Sequence, residues 1–247
     1  MTRAIFLSIA LLAALIIPGK AHAARASVLI DFDPRSAEQT VIVESIAADH
    51  KGLLYACDRV TGNVWRIDPK NPKLVVVGKV QERDIGGKKV RADVSGIIFN
   101  QAGDLYLTAG GFKEVLRIRA RNLDPDNPGI AQTFAIETEG ANGIAFDKNG
   151  YLFVSGGRNG RIYRTGAEGG RAEVFAQIAL HTRVLSDGKT EQAVTANGMT
   201  FDSQGTTLYI ADTARGAIWK LAVDGKAGQP TLMTQSVLLE GADGPAF

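Results

Sequence analysis

The sequence predicts an all-β protein in which short strands recur in a fixed order. One phrase occurs four times: a polar residue, a short apolar strand, a turn ending in glycine, and a returning apolar strand. The copies begin at Glu44, Ser95, Asn142 and Asn197, and a fifth begins at Asp243. No stretch after residue 23 has the long 3.6-residue apolar period of a helix. Such self-similarity is typical of repeat folds.

Each copy divides into four strands. In the third copy, a strand over 143–146 is followed by a turn, a returning strand over 151–155, and a third strand over 161–164 that alternates polar and apolar residues. A fourth strand then lies on the outside, over 172–175. Matching strands in the other copies are predicted at 53–57, 65–67, 73–77, 97–99, 104–108, 114–118, 133–136, 218–221 and 230–233.

Four strands for every 46 to 55 residues predict a β-propeller, in which four-stranded blades pack radially around a central channel. The alternative is a sandwich or solenoid of stacked hairpins. In a propeller the innermost strand of each blade begins beside the channel, so the residues that begin the copies would form a ring at its mouth.

The predicted ring combines two carboxylates, two amides and one hydroxyl, from Glu44, Asp243, Asn142, Asn197 and Ser95. These oxygen donors suit a hard cation such as Ca²⁺, while the lack of histidine and thiolate argues against zinc. The alternative interpretation is that Asn-Gly and Asp-Gly are simply turn dipeptides.

Composition excludes several classes of protein. The chain has 247 residues, 45% of them apolar and 22% charged, with a net charge of +2, which is too apolar and too balanced for a disordered chain. Because no cationic run stands out, we expect no nucleic-acid partner. The single cysteine, Cys57, excludes an intrachain disulfide and paired-thiolate metal sites.

Residues 1–23 have the features of a secretory signal peptide. Arg3 precedes a short apolar core, and Ala21-His22-Ala23 has the small-x-small pattern of a cleavage site. The alternative is an uncleaved anchor, but a bilayer core needs about 20 apolar residues, more than this segment has. We therefore expect a periplasmic or secreted protein with a propeller domain over 24–247 and no membrane partner after cleavage.

The sequence resembles the family of senescence marker protein-30, gluconolactonase and luciferin-regenerating enzyme, and is similar to the diisopropylfluorophosphatase and paraoxonase propellers. The resemblance rests on Glu44, the phrases beginning Asn142-Gly143 and Asn197-Gly198, and Asp243-Gly244. It implies a six-bladed propeller that holds a catalytic divalent cation and hydrolyses lactones or organophosphate esters.

By this resemblance, Glu44, Asn142, Asn197 and Asp243 are metal ligands, and Asp243 is also the catalytic base or nucleophile. Ca²⁺ is the expected cofactor, with Zn²⁺, Mg²⁺ and Mn²⁺ as alternatives. Ser95 is either a substrate contact or a spacer. The expected partner is a small lactone or ester whose identity the sequence does not specify.

Two other functions remain open. One is a non-catalytic propeller that binds peptides or proteins, with the ring residues serving only as turns. The other is a strictosidine synthase-like propeller, which keeps the fold and changes the reaction.

Outside the ring, four positions have simpler predictions. Asp58 and Asp212 follow strands and are interpreted as turn-capping residues, and Cys57 as a small buried apolar group. The polar stretch over 181–195, which contains His181 and Asp187, is either a lid over the channel or a solvated loop.

The number of copies is smaller than six blades require. Six blades at this period need about 290 residues, and the chain supplies four blades and the first strand of a fifth. The segment over 27–32 is predicted to be the strand that completes the last blade. We therefore expect a truncated propeller, with closure by a partner as the alternative.

Overall fold

The computed structural model describes residues 26–32, 41–224 and 228–245. These residues form an all-β propeller of four radially arranged four-stranded blades, as the sequence predicts. They include no α-helix, only two 3₁₀ turns at Ala120–Asn122 and Val237–Leu239. No helix in this part of the chain is long and apolar enough to cross a membrane.

The strands follow one another in the same order in every blade. Blade 1 contains β1 (Ile46–Ala48), β2 (Leu54–Cys57), β3 (Asn63–Asp68) and β4 (Asn71–Lys79). A hairpin of β5 (Arg83–Ile85) and β6 (Lys88–Val90) leads to blade 2, which contains β7 (Val94–Phe99), β8 (Leu105–Ala109), β9 (Glu114–Ile118), the short β10 (Gly129–Ile130) and β11 (Gln132–Ile136).

The second half repeats this plan. Blade 3 contains β12 (Ile144–Phe146), β13 (Leu152–Ser155), β14 (Arg161–Gly166) and β15 (Gly169–Gln177). A second hairpin, β16 (Thr182–Val184) and β17 (Thr190–Gln192), leads to blade 4, which contains β18 (Met199–Phe201), β19 (Thr207–Asp212), β20 (Ala217–Ala222) and β21 (Thr231–Gln235). The strands predicted from the sequence between residues 53 and 233 are confirmed, with ends that shift by at most three residues.

Neighbouring strands within a blade are antiparallel, whereas outer strands of successive blades also meet in parallel. In blade 3, Ile144 pairs with Val154, and Met199 pairs with Ile210 at the matching position of blade 4. The outer strands β11 and β15 pair in parallel, which joins blades 2 and 3 into one eight-stranded sheet. Likewise β10 pairs in parallel with β4, so the connection inside blade 2 extends the sheet of blade 1.

The inner hairpin of each blade is closed by an acidic or amide side chain. In blade 3, Asp147 Oδ1 accepts hydrogen bonds of 2.8 Å from the backbone N–H groups of Asn149 and Tyr151. Gly150 completes the turn at φ +81°, a conformation that residues with a Cβ rarely adopt. The matching turns of the other blades use Asp49, Asn100 and Asp202. The repeated phrase is therefore a side-chain-closed turn.

The hydrophobic core lies between the blades, since both faces of the inner sheets are buried. Alternate residues of β8 face opposite ways: Leu105 and Leu107 belong to the cluster shared with blade 1, and Tyr106 belongs to the cluster shared with blade 3. A third cluster joins blades 3 and 4 through Phe153 and Leu208. This two-sided burial explains why the second strand of each blade is almost wholly apolar.

Two predictions need correction. The segment over 26–32 contains no strand; instead, the Phe32 ring packs on Trp65 with ring centroids 5.4 Å apart. A strand needs a neighbouring strand for its backbone hydrogen bonds, and no strand among the described residues pairs with this segment. The stretch over 181–195 is not a plain loop, since β16 and β17 form a hairpin within it. Residues 1–25, and with them the predicted signal peptide, lie outside the described residues.

Candidate functional site

The structure brings the five ring residues to one cavity at the propeller axis. The cavity has a volume of about 410 Å³ and is lined by the residues that begin the inner strands. The ring members in its lining are Glu44, Ser95, Asn142, Asn197 and Asp243. Residues spread over almost 200 positions of sequence therefore meet in one place, as the propeller prediction requires.

The glycines that follow the ring residues allow the inner strands to approach one another closely. A Cβ on Gly143 would lie 2.5 Å from the carbonyl oxygen of Asn197, and a Cβ on Gly198 would lie 2.6 Å from that of Asp243. Neither glycine has a positive φ, so neither is required for a turn. Interpreting Asn-Gly as a turn dipeptide is therefore wrong for these copies, because each glycine gives the next blade room to pack.

Hydroxyl groups on the second strands fix the backbone of the ring. Thr108 Oγ1 accepts a 2.7 Å hydrogen bond from the N–H of Gly96 and donates one of 2.7 Å to the carbonyl oxygen of Asn142. In the next blade, Ser155 Oγ accepts from the N–H of Gly143 at 2.7 Å. Both hydroxyls are fully buried. They tie each inner strand to its hairpin partner, and Thr108 also ties blade 2 to blade 3.

The last two ring positions are linked by a short chain of hydrogen bonds. Asn197, which is 8% exposed, donates through Nδ2 to Thr213 Oγ1 at 2.8 Å. Thr213 in turn donates to the carbonyl oxygen of Ala242 at 2.9 Å, and the backbone carbonyl oxygen of Asp243 accepts from the N–H of Gly198 at 2.6 Å. The amide of Asn197 is therefore oriented, with its carbonyl oxygen as the end that can contact a ligand.

The first ring position has a different neighbour. Glu44 forms an ion pair with Arg59, which lies in the loop between β2 and β3. The same guanidinium also contacts Asp93, with Arg59 Nε donating to Asp93 Oδ1 at 2.9 Å. One arginine thus bridges two carboxylates from blades 1 and 2.

A second cavity, of about 490 Å³, shares part of its lining with the ring. Glu44, Ser95 and Asn142 line both cavities, so the two adjoin on the Glu44 side, and we call the second one the entrance cavity. Charged residues of the surrounding loops also line this entrance: Arg59, Asp93, Glu139 and Arg158.

Ion pairs surround the entrance. Glu139 forms an ion pair of 2.8 Å with Lys113, and the hydrogen bond from this ammonium lowers the pKa of the Glu139 carboxyl. Arg158 pairs with Glu191 of β17 at 3.3 Å. The inserted β16–β17 hairpin is thereby held beside the channel mouth.

Two residues of this site were missed at the sequence level. Arg59 and Asp93 are 34 positions apart and lie in loops whose local sequence carries no motif. Only the position of Asp93, two residues before Ser95, is a signal that it belongs near the ring.

The donor set is compatible with a hard divalent cation. Two carboxylates, two amides and one hydroxyl line the same cavity, and all offer oxygen ligands. Within the described residues, no three histidine, cysteine, aspartate or glutamate side chains form a group that could hold a metal ion. A metal at this ring would therefore depend on the amides of Asn142 and Asn197 as well as on Glu44 and Asp243.

The residues assigned to structural roles have them. The buried Asp58 accepts from the N–H groups of Ile42 and Val60 at 3.1 and 2.9 Å. Burial alone would raise the pKa of Asp58, but the hydrogen bonds from Thr61, Val60 and Ile42 outweigh it and lower the pKa.

The matching aspartate and the cysteine are equally structural. Asp212 Oδ2 accepts from Arg215 at 2.7 Å and from Trp219 Nε1 at 3.1 Å. Burial raises the pKa of Cys57 to about 12, so its thiol is inert. Asp212 Oδ1 also accepts from the backbone N–H of Arg215 at 3.1 Å, so the predictions for Asp58, Asp212 and Cys57 are confirmed.

Comparisons with known proteins support the fold. No protein-family model matches the chain, and no curated protein sequence matches it. Among solved structures, it is similar to a gluconolactonase from Xanthomonas campestris, with 16% identity and a TM-score of 0.55 over 83% of this chain and 65% of that one. It is also similar to virginiamycin B lyase from Staphylococcus aureus, with 14% identity and a TM-score of 0.52 over 83% of this chain and 59% of that one.

A third similar structure is an extracellular domain of a hybrid two-component system from Bacteroides thetaiotaomicron, with 13% identity and a TM-score of 0.51 over 77% of this chain and 24% of that one. The chain therefore spans less than two thirds of the length of each of these proteins. At such low identity the similarity establishes the architecture alone. The chain has the β-propeller fold that a lactonase and a lyase also use.

Proposed function

We propose that this chain carries the cation site of a secreted, divalent-cation-dependent propeller hydrolase that acts on sugar lactones or related esters. The observation that carries the proposal is the meeting of Glu44, Asn142, Asn197 and Asp243 in one axial cavity. The structural similarity to a gluconolactonase supports the reaction class, and the family resemblance of the ring residues points in the same direction.

The four ligands would hold the cation, with Ca²⁺ as the expected ion. A divalent cation bound in such a site supplies polarisation of the substrate carbonyl and stabilisation of the oxyanion that forms on it. The chain contributes the orientation of the donors: Thr213 holds the amide of Asn197, and the backbone contact between Gly198 and Asp243 holds the last position against it.

Asp243 is the residue we assign as general base. It is exposed and lies in the cavity lining, where an attacking water can reach it. Its carboxylate would take a proton from the water as the water attacks the lactone carbonyl. Ser95 lines the same cavity and is the candidate for contact with the substrate.

The test measures lactone hydrolysis by the purified protein after chelation and after Ca²⁺ is restored. We expect activity to disappear with the chelator and to return with Ca²⁺. Asp243→Asn should lower the rate by at least about 100-fold, the usual contribution of a positioned base. The matched control is Asp126→Asn, at an exposed aspartate outside the cavity lining. Activity that survives both the chelator and Asp243→Asn would contradict the proposal.

A second candidate is a non-catalytic binding module. The observation that favours it is the ion pair between Glu44 and Arg59, which engages one proposed ligand within the protein itself. A protein that folds, binds no Ca²⁺ and hydrolyses no lactone would support this function instead.

We propose export to the periplasm or the medium from the signal-peptide pattern of residues 1–23. The structural similarity to an extracellular domain agrees with this location. Expression of the full chain, followed by fractionation and N-terminal sequencing, should give a mature protein that begins at Ala24. A protein that keeps Met1 in the cytoplasm would contradict the proposal.

A further inference from the structure

Arg59 is placed between two carboxylates at the entrance to the ring cavity. Its guanidinium contacts Glu44 on blade 1 and Asp93 on the segment that leads into blade 2. The side chain of Arg59 is 21% exposed, compared with 37% for Glu44 and 56% for Asp93. The arginine is thus the most enclosed member of the group.

The backbone of Asp93 has an unusual conformation. Asp93 has φ +56°, in the left-handed region that is unfavourable for residues with a side chain. A residue held in such a conformation is kept there by its surroundings. Asp93 lines the entrance cavity, where it faces Arg59 rather than the ring cavity.

Glu44 therefore has two competing cationic partners. In the structure it is paired with Arg59, and in the proposed function it is a ligand of a divalent cation. A carboxylate that turns to a metal ion leaves its arginine, and the positive charge of that arginine opposes the approach of the ion. Asp93 changes the outcome, since it keeps Arg59 paired after Glu44 has left.

We propose that Arg59 is a built-in competitor for the cation site. It holds Glu44 while the site is empty, and binding of the cation transfers Arg59 to Asp93 alone. The inference rests on the cation site of the proposed function and adds its regulation: the affinity for the ion is set by an arginine that is not itself a ligand. Arg59 is thus a positioning residue that acts through Glu44.

The test is a Ca²⁺ titration of the full-length protein by calorimetry, which needs no substrate. Arg59→Gln should raise the Ca²⁺ affinity by about 5-fold, the upper end of the effect expected from removing one competing charge at a partly exposed carboxylate. A substitution that merely damaged the fold would not tighten binding. The melting temperature should also rise more on addition of Ca²⁺ in this variant than in the wild type.

Arg158→Gln is the matched control. Arg158 lines the same entrance and carries the same charge, but it pairs with Glu191 and not with Glu44. We expect its removal to change the Ca²⁺ affinity by less than about 2-fold, because charges exposed to solvent are screened at physiological salt. An equal gain in both variants would overturn the proposal in favour of a general effect of charge.

A double-mutant cycle separates the inference from the proposed function. In a Glu44→Gln background, Arg59→Gln should no longer tighten binding, since the competition acts through that carboxylate. Ca²⁺ affinity that is the same in the wild type and in Arg59→Gln would overturn the inference and leave the proposed hydrolase standing. A gain that needs Glu44, in a protein without lactonase activity, would support the inference and overturn the hydrolase. Absence of binding in all four proteins would overturn the inference.

Discussion

The two ends of each inner strand differ in what they repeat. At the end of the strand, an aspartate or asparagine closes the same turn in each blade, as Asp147 does in blade 3. At the start of the strand, the residue varies among Glu, Ser, Asn and Asp, with Asn shared by blades 3 and 4, and all five positions line one cavity. A residue type that recurs therefore indicates a local structural requirement, whereas a polar position that varies within a constant frame indicates the candidate site.

The largest effect should come from the glycine that follows a ring residue at the start of the inner strand. Gly143→Ala puts a Cβ 2.5 Å from the carbonyl oxygen of Asn197, a backbone atom that cannot move without shifting blade 4. We expect a loss of about 3 kcal/mol in the free energy of unfolding, at the upper end of the usual cost of overpacking, measured by denaturant unfolding.

Gly166→Ala is the control for this substitution. A Cβ at Gly166 meets nothing within 4 Å, and the residue has no positive φ. The change should therefore be neutral, or stabilising by up to about 1 kcal/mol. Similar losses in both variants would show that close packing of the ring is not the reason for Gly143.

A smaller loss of stability should distinguish substitution of the turn residue Asp147 from substitution of the ring residue Asn142. Asp147→Ala removes the acceptor of two backbone N–H groups and should cost about 1 kcal/mol of stability. Asn142→Ala should change stability less and reduce Ca²⁺ binding, because the side chain of Asn142 is assigned to the site. The comparison would be wrong if Asn142→Ala were the more destabilising change and left Ca²⁺ binding unaltered.

The smallest effect concerns pH. The pKa of Asp58 is lowered in the folded protein from its ordinary value of 3.8. Its contribution to stability is therefore complete above the unfolded value and is lost as the pH falls below it, towards the folded pKa. Asp58→Asn should be less stable at neutral pH and should lose less stability than the wild type between about pH 5 and pH 3. Parallel pH profiles for the two proteins would refute this assignment.

Much of the fold could be predicted because each repeat consists of apolar strands separated by turns that contain glycine. The strands that pack between blades, such as β8 and β13, are nearly all apolar and were found. The hairpins β5–β6 and β16–β17 were not found, since their strands are three residues long and mostly polar or exposed. A short solvated hairpin buries too little apolar surface to leave a periodic signal.

The ring residues could also be predicted from the repeat. Arg59 and Asp93, which contact the ring, could not. The ring residues occupy a fixed position in the repeat, so that the register alone places them together. Arg59 meets Glu44 and Asp93 through loops that connect different strands, and its role depends on the distance between blades rather than on any local pattern. Contacts of this kind follow from tertiary packing.

Parallel pairing of outer strands joins some neighbouring blades by backbone hydrogen bonds and leaves others without them. Ala135 and Ile136 of β11 pair with Gly170 and Arg171 of β15, so main-chain hydrogen bonds join blades 2 and 3 at their outer edge. Within the described residues, β21 of blade 4 pairs only with β20. Breathing motions of the molecule should therefore begin at the seam between blades 3 and 4, the seam that Asn142 and Asn197 border.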